Sequence, residues 1–251
     1  MPHNESTSLI FRQATIDDYP NILAMYEAVK EHLGKTVDYC HWHSENHPRP
    51  DDLRFHVEAG NMWLACVNAD CDSARSRDKN APSTSDEDTA GSADSGVAGV
   101  ADSGVAGVAD SGVAGVADSG VAGVADSGIA GVVDSGILGA FAVNHEHVSG
   151  AEKAPWKVLP LDGGKNIWVL HIFGVAPWAQ GQGVADFLVD SLIAQAPRHG
   201  IGAIRLDAVT ENIPGRRLYE KHGFTDMGPF TLDYPGKKVS DFHLYELPLS
   251  I

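Results

Sequence analysis

Six consecutive residues, Gln180-Gly181-Gln182-Gly183-Val184-Ala185, combine two positions without a Cβ with the first residues of a helical pattern. Glycine lets backbone N–H groups approach a ligand closely. A helix N-terminus adds unsatisfied donors and a partial positive charge, and the two together favour a phosphate. The elements that must position this anion cradle lie on either side of it. Residues 167–175, IWVLHIFGV, are β-branched and aromatic with little alternation, as in a central strand covered on both faces. From 184 onward Val184, Phe187, Leu188 and Leu192 recur on one helical stripe, and Pro197 and Gly200 end it.

Two familiar phosphate turns fit these residues poorly. A P-loop requires Lys followed by Ser or Thr after its glycines, and neither follows here. A dinucleotide site has more in its favour, because Gly181 and Gly183 follow a strand and Asp207 ends the next one. Asp186, however, stands where a third glycine belongs, and too few βαβ units follow. A second cluster, Cys40, His41, His43 and His47, offers ligand types suited to zinc. Its spacing matches no standard metal pattern, so no metal is expected, and a substrate-facing or exposed loop explains the histidines equally well.

The chain of 251 residues has a formal charge of −16. Residues 82–136 carry nine acidic residues and no Lys or Arg, which leaves −7 for the remainder. That surplus argues against a nucleic-acid partner and makes cationic small molecules the natural guests. Three irregularly spaced cysteines give no disulfide framework and point to a reducing cytoplasm. The first ten residues have no signal-peptide pattern and no stretch reads as a membrane span, so a cytoplasmic protein is expected.

Around the cradle the chain reads as an alternation of elements. A strand at 9–14 leads into a helix with Thr15 as N-cap and Asp18 at the capping-box position, its apolar face formed by Ile22, Leu23, Met25, Tyr26 and Val29. A short helix at 51–59 and a strand at 62–68 follow. Residues 72–136 are a Ser- and Asp-rich linker and then an eight-residue unit, ADSGVAGV, in six copies. The unit has two glycines and little to bury, so disorder is expected rather than a stacked solenoid. Strand patterns at 62–68 and 137–144 then form a hairpin whose loop is enlarged, which loop entropy tolerates. The tract therefore interrupts one domain, 1–251, without dividing it in two. A strand at 203–209, a helix from Asn212-Ile213-Pro214 to Gly223, and strands near 224–234 and 241–249 complete a mixed α/β order.

The segment Gln180-x-x-Gly183-x-Ala185 after an apolar strand resembles the acetyl-CoA pyrophosphate motif of the GCN5-related N-acetyltransferase (GNAT) family. Asn212 with Leu218-Tyr219-Glu220-Lys221-His222-Gly223-Phe224 is similar to that family's second conserved segment, at the expected distance. The resemblance implies an α+β fold with a mixed, mostly antiparallel central sheet flanked by helices, the octapeptide repeats being an insertion in one hairpin. It implies acetyl-CoA as cosubstrate, held by the backbone of Gln180, Gly181, Gln182, Gly183, Val184 and Ala185. Phe173 and Val175 would border the pantetheine and thioester on the central strand, which would splay at Phe173-Gly174. Asn212 would contact the cofactor or order water, although an N-cap role explains it too. Tyr219 matches the family's usual general acid, for which a packed helix tyrosine with a wet hydroxyl is the plain alternative.

The reaction implied is direct attack of a small-molecule or peptide primary amine on acetyl-CoA in a ternary complex. The amine must first lose a proton. His171 has the chemistry for that task, but a histidine in an apolar strand is commonly a hydrogen-bonded core residue. Glu146, His145 and Glu211 compete with it. A CoA-binding sensor or interaction protein on the same fold is the alternative function. No membrane partner is expected, and a homodimer is allowed.

Overall fold

The computed structural model describes residues 8–67, 136–234 and 238–250. Its seven-stranded sheet runs in the order β1 (Leu9–Gln13), β2 (Met62–Val67), β3 (Ile137–Asn144), β4 (Ile167–Val175), β5 (Ala203–Val209), β7 (Asp241–Pro248), β6 (Thr225–Thr231). Every neighbouring pair is antiparallel except β4 and β5. This is the mixed, mostly antiparallel sheet anticipated above. All nine residues of β4 are buried, which accounts for its unalternating sequence.

Helices cover both faces. Helix α1 (Tyr19–Lys35) lies on one face, buries Ile22, Met25, Tyr26, Val29 and Leu33, and is preceded by a single 3-10 turn at Ile16–Asp18. The expected capping box closes that start: Asp18 accepts from the backbone N of Thr15 at 2.7 Å and is gripped by Arg12 at 2.7 and 2.8 Å. Helix α2 (Pro50–Glu58) shares this face. On the other face lie α3 (Val184–Gln195) and α4 (Ile213–Lys221). Asn212 caps α4, its side chain accepting from the N–H of Gly215 at 3.1 Å.

Two irregularities shape the middle of the sheet. Strand β4 pairs with β5 only from Ile167/Ala203 to Val169/Arg205, so the two part at Leu170, three residues earlier than the expected splay. On its other edge β4 bulges: Ala140 faces Gly174 and Ala142 faces His171, so Ile172 and Phe173 together oppose Phe141. Ile172 takes the extra turn at φ 44°, a costly angle for a β-branched residue. The Tyr26 hydroxyl sits at the bulge, within 2.5 Å of the Ile172 carbonyl and 3.2 Å of that of Ala140.

The hairpin of β2 and β3 is closed by Val67 donating to the carbonyl of Gly136 at 3.0 Å. The expected linker and repeat insertion lie outside the described residues, as does the last residue expected in the 62–68 strand.

Candidate active site

The cradle forms where β4 ends. A 3-10 turn, Pro177–Ala179, leads to Gln180, and then Gly181 and Gly183 adopt φ of 71° and 79°, angles that L side chains rarely take. Gly183 is the N-cap of α3 and offers no side-chain cap, so the first-turn N–H groups of Val184, Ala185 and Asp186 have no intrahelical acceptor. Gly181, Gln182 and Gly183 are exposed, and nothing lies within 4 Å of where a Cβ would stand on either glycine. The Gln180 Nε2 is buried with no hydrogen-bond partner. These donors fit an anion.

Asp186, the residue that spoils a dinucleotide motif, faces elsewhere. It pairs with Lys221 at 2.7 Å and His222 at 2.8 Å, tying the first turn of α3 to the end of α4. Burial works against it, but these partners hold the carboxyl below the usual range. The Lys221 ammonium thus offsets a charge that would repel a phosphate.

Tyr219 lies inward from the cradle on α4. It is fully buried, its ring edge-on to Phe173 at 6.4 Å and against Phe224 at 5.6 Å and Tyr245 at 6.0 Å. Phe173 in turn stacks on Phe141 at 5.9 Å. The Tyr219 hydroxyl is buried and has no hydrogen-bond partner among the described residues, where the plain alternative expects it to reach solvent. Burial first, then the charges of Asp207, Tyr245 and Cys40, hold its proton well above the ordinary tyrosine value. The phenol is a donor kept loaded.

His171 occupies the opposite face of the sheet. It is fully buried and stacks on His56 of α2 at 6.1 Å. The Asn144 Oδ1 accepts from the N–H of Glu146 at 2.9 Å, which fixes that amide's orientation. The His171 Nε2, 2.7 Å from the same oxygen, is therefore the donor, and Nδ1 is the basic nitrogen. Its competitors sit elsewhere. Exposed His145 and Glu146 line a cavity with Trp63 and Trp168 at the N-terminal end of β4, away from the cradle, and Glu211 is exposed beyond the end of β5.

The histidine-rich segment between α1 and α2 is not gathered into a metal centre. Among the described residues no group of three or more His, Cys, Asp or Glu could hold an ion. His47 pairs with Asp52 at 3.7 Å, and Cys40 is buried within the electrostatic reach of Tyr219. Sequence reasoning missed Cys40 and Asp207 as neighbours of Tyr219, because only the fold brings those three elements together.

With this geometry in view, residues 124–224 match the model of the acetyltransferase (GNAT) family. That match takes in both the cradle and the helix that carries Tyr219. Solved structures agree on the GNAT fold. An acetyltransferase of that family from Streptococcus agalactiae aligns at a TM-score of 0.56 and 14% identity, covering 97% of this chain and 96% of its own. An N-acetyltransferase from Staphylococcus aureus aligns at 0.51 and 16%, covering 97% and 99%. A GNAT acetyltransferase from Streptococcus pneumoniae aligns at 0.51 and 13%, covering 97% and 100%. No curated protein sequence matches the chain. No helix among the described residues is long and apolar enough to cross a membrane.

Proposed function

We propose that this GNAT domain transfers the acetyl group of acetyl-CoA to the primary amine of a small molecule or peptide, by direct attack in a ternary complex. One observation carries the reading: an anion-binding helix start and a buried, unpartnered tyrosine hydroxyl flank the place where β4 and β5 separate. A binding-only site needs the first and has no use for the second.

Acetyl-CoA supplies an acyl group activated as a thioester. The backbone of Gln180–Ala185 holds its pyrophosphate, and the Gln180 amide adds a donor. The edge of β4 left open beyond Val169, bordered by Phe173 and Val175, lies along the pantetheine and thioester. Asn212 serves this site through α4: its cap sets the start of the helix that carries Tyr219. His171 Nδ1 takes the amine proton on one sheet face, and Tyr219 gives its proton to the departing sulfur on the other. A base and an acid on opposite sides of the gap serve the two ends of one substitution without competing. Buried Cys40 and Cys66, both thiols, suit a reducing cytoplasm. The described segments form one domain, with residues 72–136 as an insertion in its β2–β3 hairpin.

The test is incubation of the purified chain with acetyl-CoA and a panel of amines, following free thiol release. Amine-dependent release is expected. Tight CoA binding with no release across the panel would instead establish a sensor.

A further inference from the structure

Tyr26 is a fully buried phenol on α1, across the sheet from the cradle, with no role in the scheme above. Its hydroxyl has one proton and two carbonyls in reach, that of Ile172 on β4 at 2.5 Å and that of Ala140 on β3 at 3.2 Å. These are the two strands that fall out of step at the bulge. Burial pushes the phenol far above the ordinary tyrosine value, so it stays a donor. The ring reaches this point by lying against Gly174. A Cβ there would stand 3.0 Å from the Tyr26 Cε1 and 3.6 Å from the Trp42 Cζ3, and Trp42 backs the ring at 5.9 Å. The hydroxyl bonds and the missing Cβ are separate observations of one fit.

Resting on the transferase reading, we infer that Tyr26 is a positioning residue: it pins the surplus residue of β4 at Ile172 and so keeps the Phe173 ring on the side of Tyr219. Ile172 is 1% exposed, and a carbonyl buried there needs a donor. Its φ of 44° persists only where the surroundings hold it. Without the hydroxyl, the surplus residue can move one place along, so that Phe173 and Gly174 together oppose Ala140. Phe173 would then leave Tyr219, which it meets edge-on at 6.4 Å, for the side of His171. Tyr26 touches no reacting atom. It acts from one side of the sheet on a ring that borders the thioester on the other.

The test compares the intact chain with Tyr26→Phe, which keeps the ring and removes the donor, after matched thermal melts. Ring contacts are read by NMR, without turnover. The Phe173–Tyr219 contact should be lost while the His171–His56 contact remains. With acetyl-CoA and an accepted amine, kcat should fall by about tenfold, and the KM for acetyl-CoA should stay within about twofold of the parent. Ile172→Gly, which takes the left-handed angle without strain, should restore the ring contact and most of kcat in the Tyr26→Phe background. An unchanged Phe173–Tyr219 contact in Tyr26→Phe overturns the inference, as does a further loss on adding Ile172→Gly. Loss of the cooperative melt in Tyr26→Phe overturns it too, since the hydroxyl would then hold the fold and not the ring. A parent chain that releases no thiol with any amine overturns the transferase reading alone, and the ring contacts still decide what Tyr26 does.

Discussion

The two faces of the β4–β5 gap are built by different rules. On the face of α3 and α4, the cradle and Tyr219 come from two short segments that keep their own geometry. Recognition there is mostly by backbone, through glycine angles and helix N–H groups, so the requirement is written as local spacing. On the face of α1 and α2, His171 meets His56 of α2, and Asp207 meets Tyr234, partners distant in sequence that come together only after folding. A site for an invariant cofactor can be local. A site for a variable acceptor need not be.

The sharpest way to break this contrast is to remove one proton from each face. Tyr219→Phe should lower kcat by about a hundredfold or more while CoA affinity stays unchanged by calorimetry. Parent-like turnover would take Tyr219 out of the chemistry. His171→Gln should lower kcat by roughly ten- to a hundredfold, again without touching CoA affinity. Weakened CoA binding in that variant would show that the two faces do not divide the work.

Gly183→Ala tests the cradle alone. Nothing crowds the site, so the penalty is the left-handed angle, about 1–2 kcal/mol, which makes roughly a tenfold rise in the KM for acetyl-CoA. The KM for the amine should not move. Stability separates the faces more gently. Burial pushes His56 and His147, both on the acceptor face, down to about 4. Each binds its proton more readily when unfolded, near 6.5, so their contribution is full above that value and is lost as pH falls from 6.5 to 4. A melting temperature that falls over this interval is expected, by roughly 2–4 °C for each kcal/mol lost. His56→Phe should flatten the decline. Deletion of residues 92–134, within the hairpin insertion, should have the smallest effect, leaving the cooperative melt and the turnover rate near those of the parent.

Reading the sequence recovered the element order closely, and for physical reasons. Caps such as Thr15 with Asp18, the Asn212 side chain, and Gly223 at φ 86° are short-range instructions. Fully buried β4 and amphipathic α1 advertise their periods. The position of the splay was not legible, because strand separation depends on partners 36 residues away. The same holds for Asp207. Its sequence neighbourhood suggested only the end of a strand after a glycine turn, and its closeness to Tyr219 is a tertiary fact. The histidines of 41–47 crowd together in sequence, yet among the described residues they join no group of three or more His, Cys, Asp or Glu that could hold an ion.

The bulge in β4 sets the phase of the strand. Counted in steps of two, His171 and Phe173 would project to the same side, and the ring that borders Tyr219 would instead lie beside His171. One surplus residue, held at Ile172, reverses the alternation. On the proposed assignment, the tip of β4 serves the cofactor layer while its middle serves the acceptor layer. Catalytic sidedness is here a matter of residue number as much as residue type. Deleting Ile172 would make the ladder regular, with Phe173 alone opposite Phe141 and still across the sheet from His171, and would remove the carbonyl that the Tyr26 hydroxyl holds.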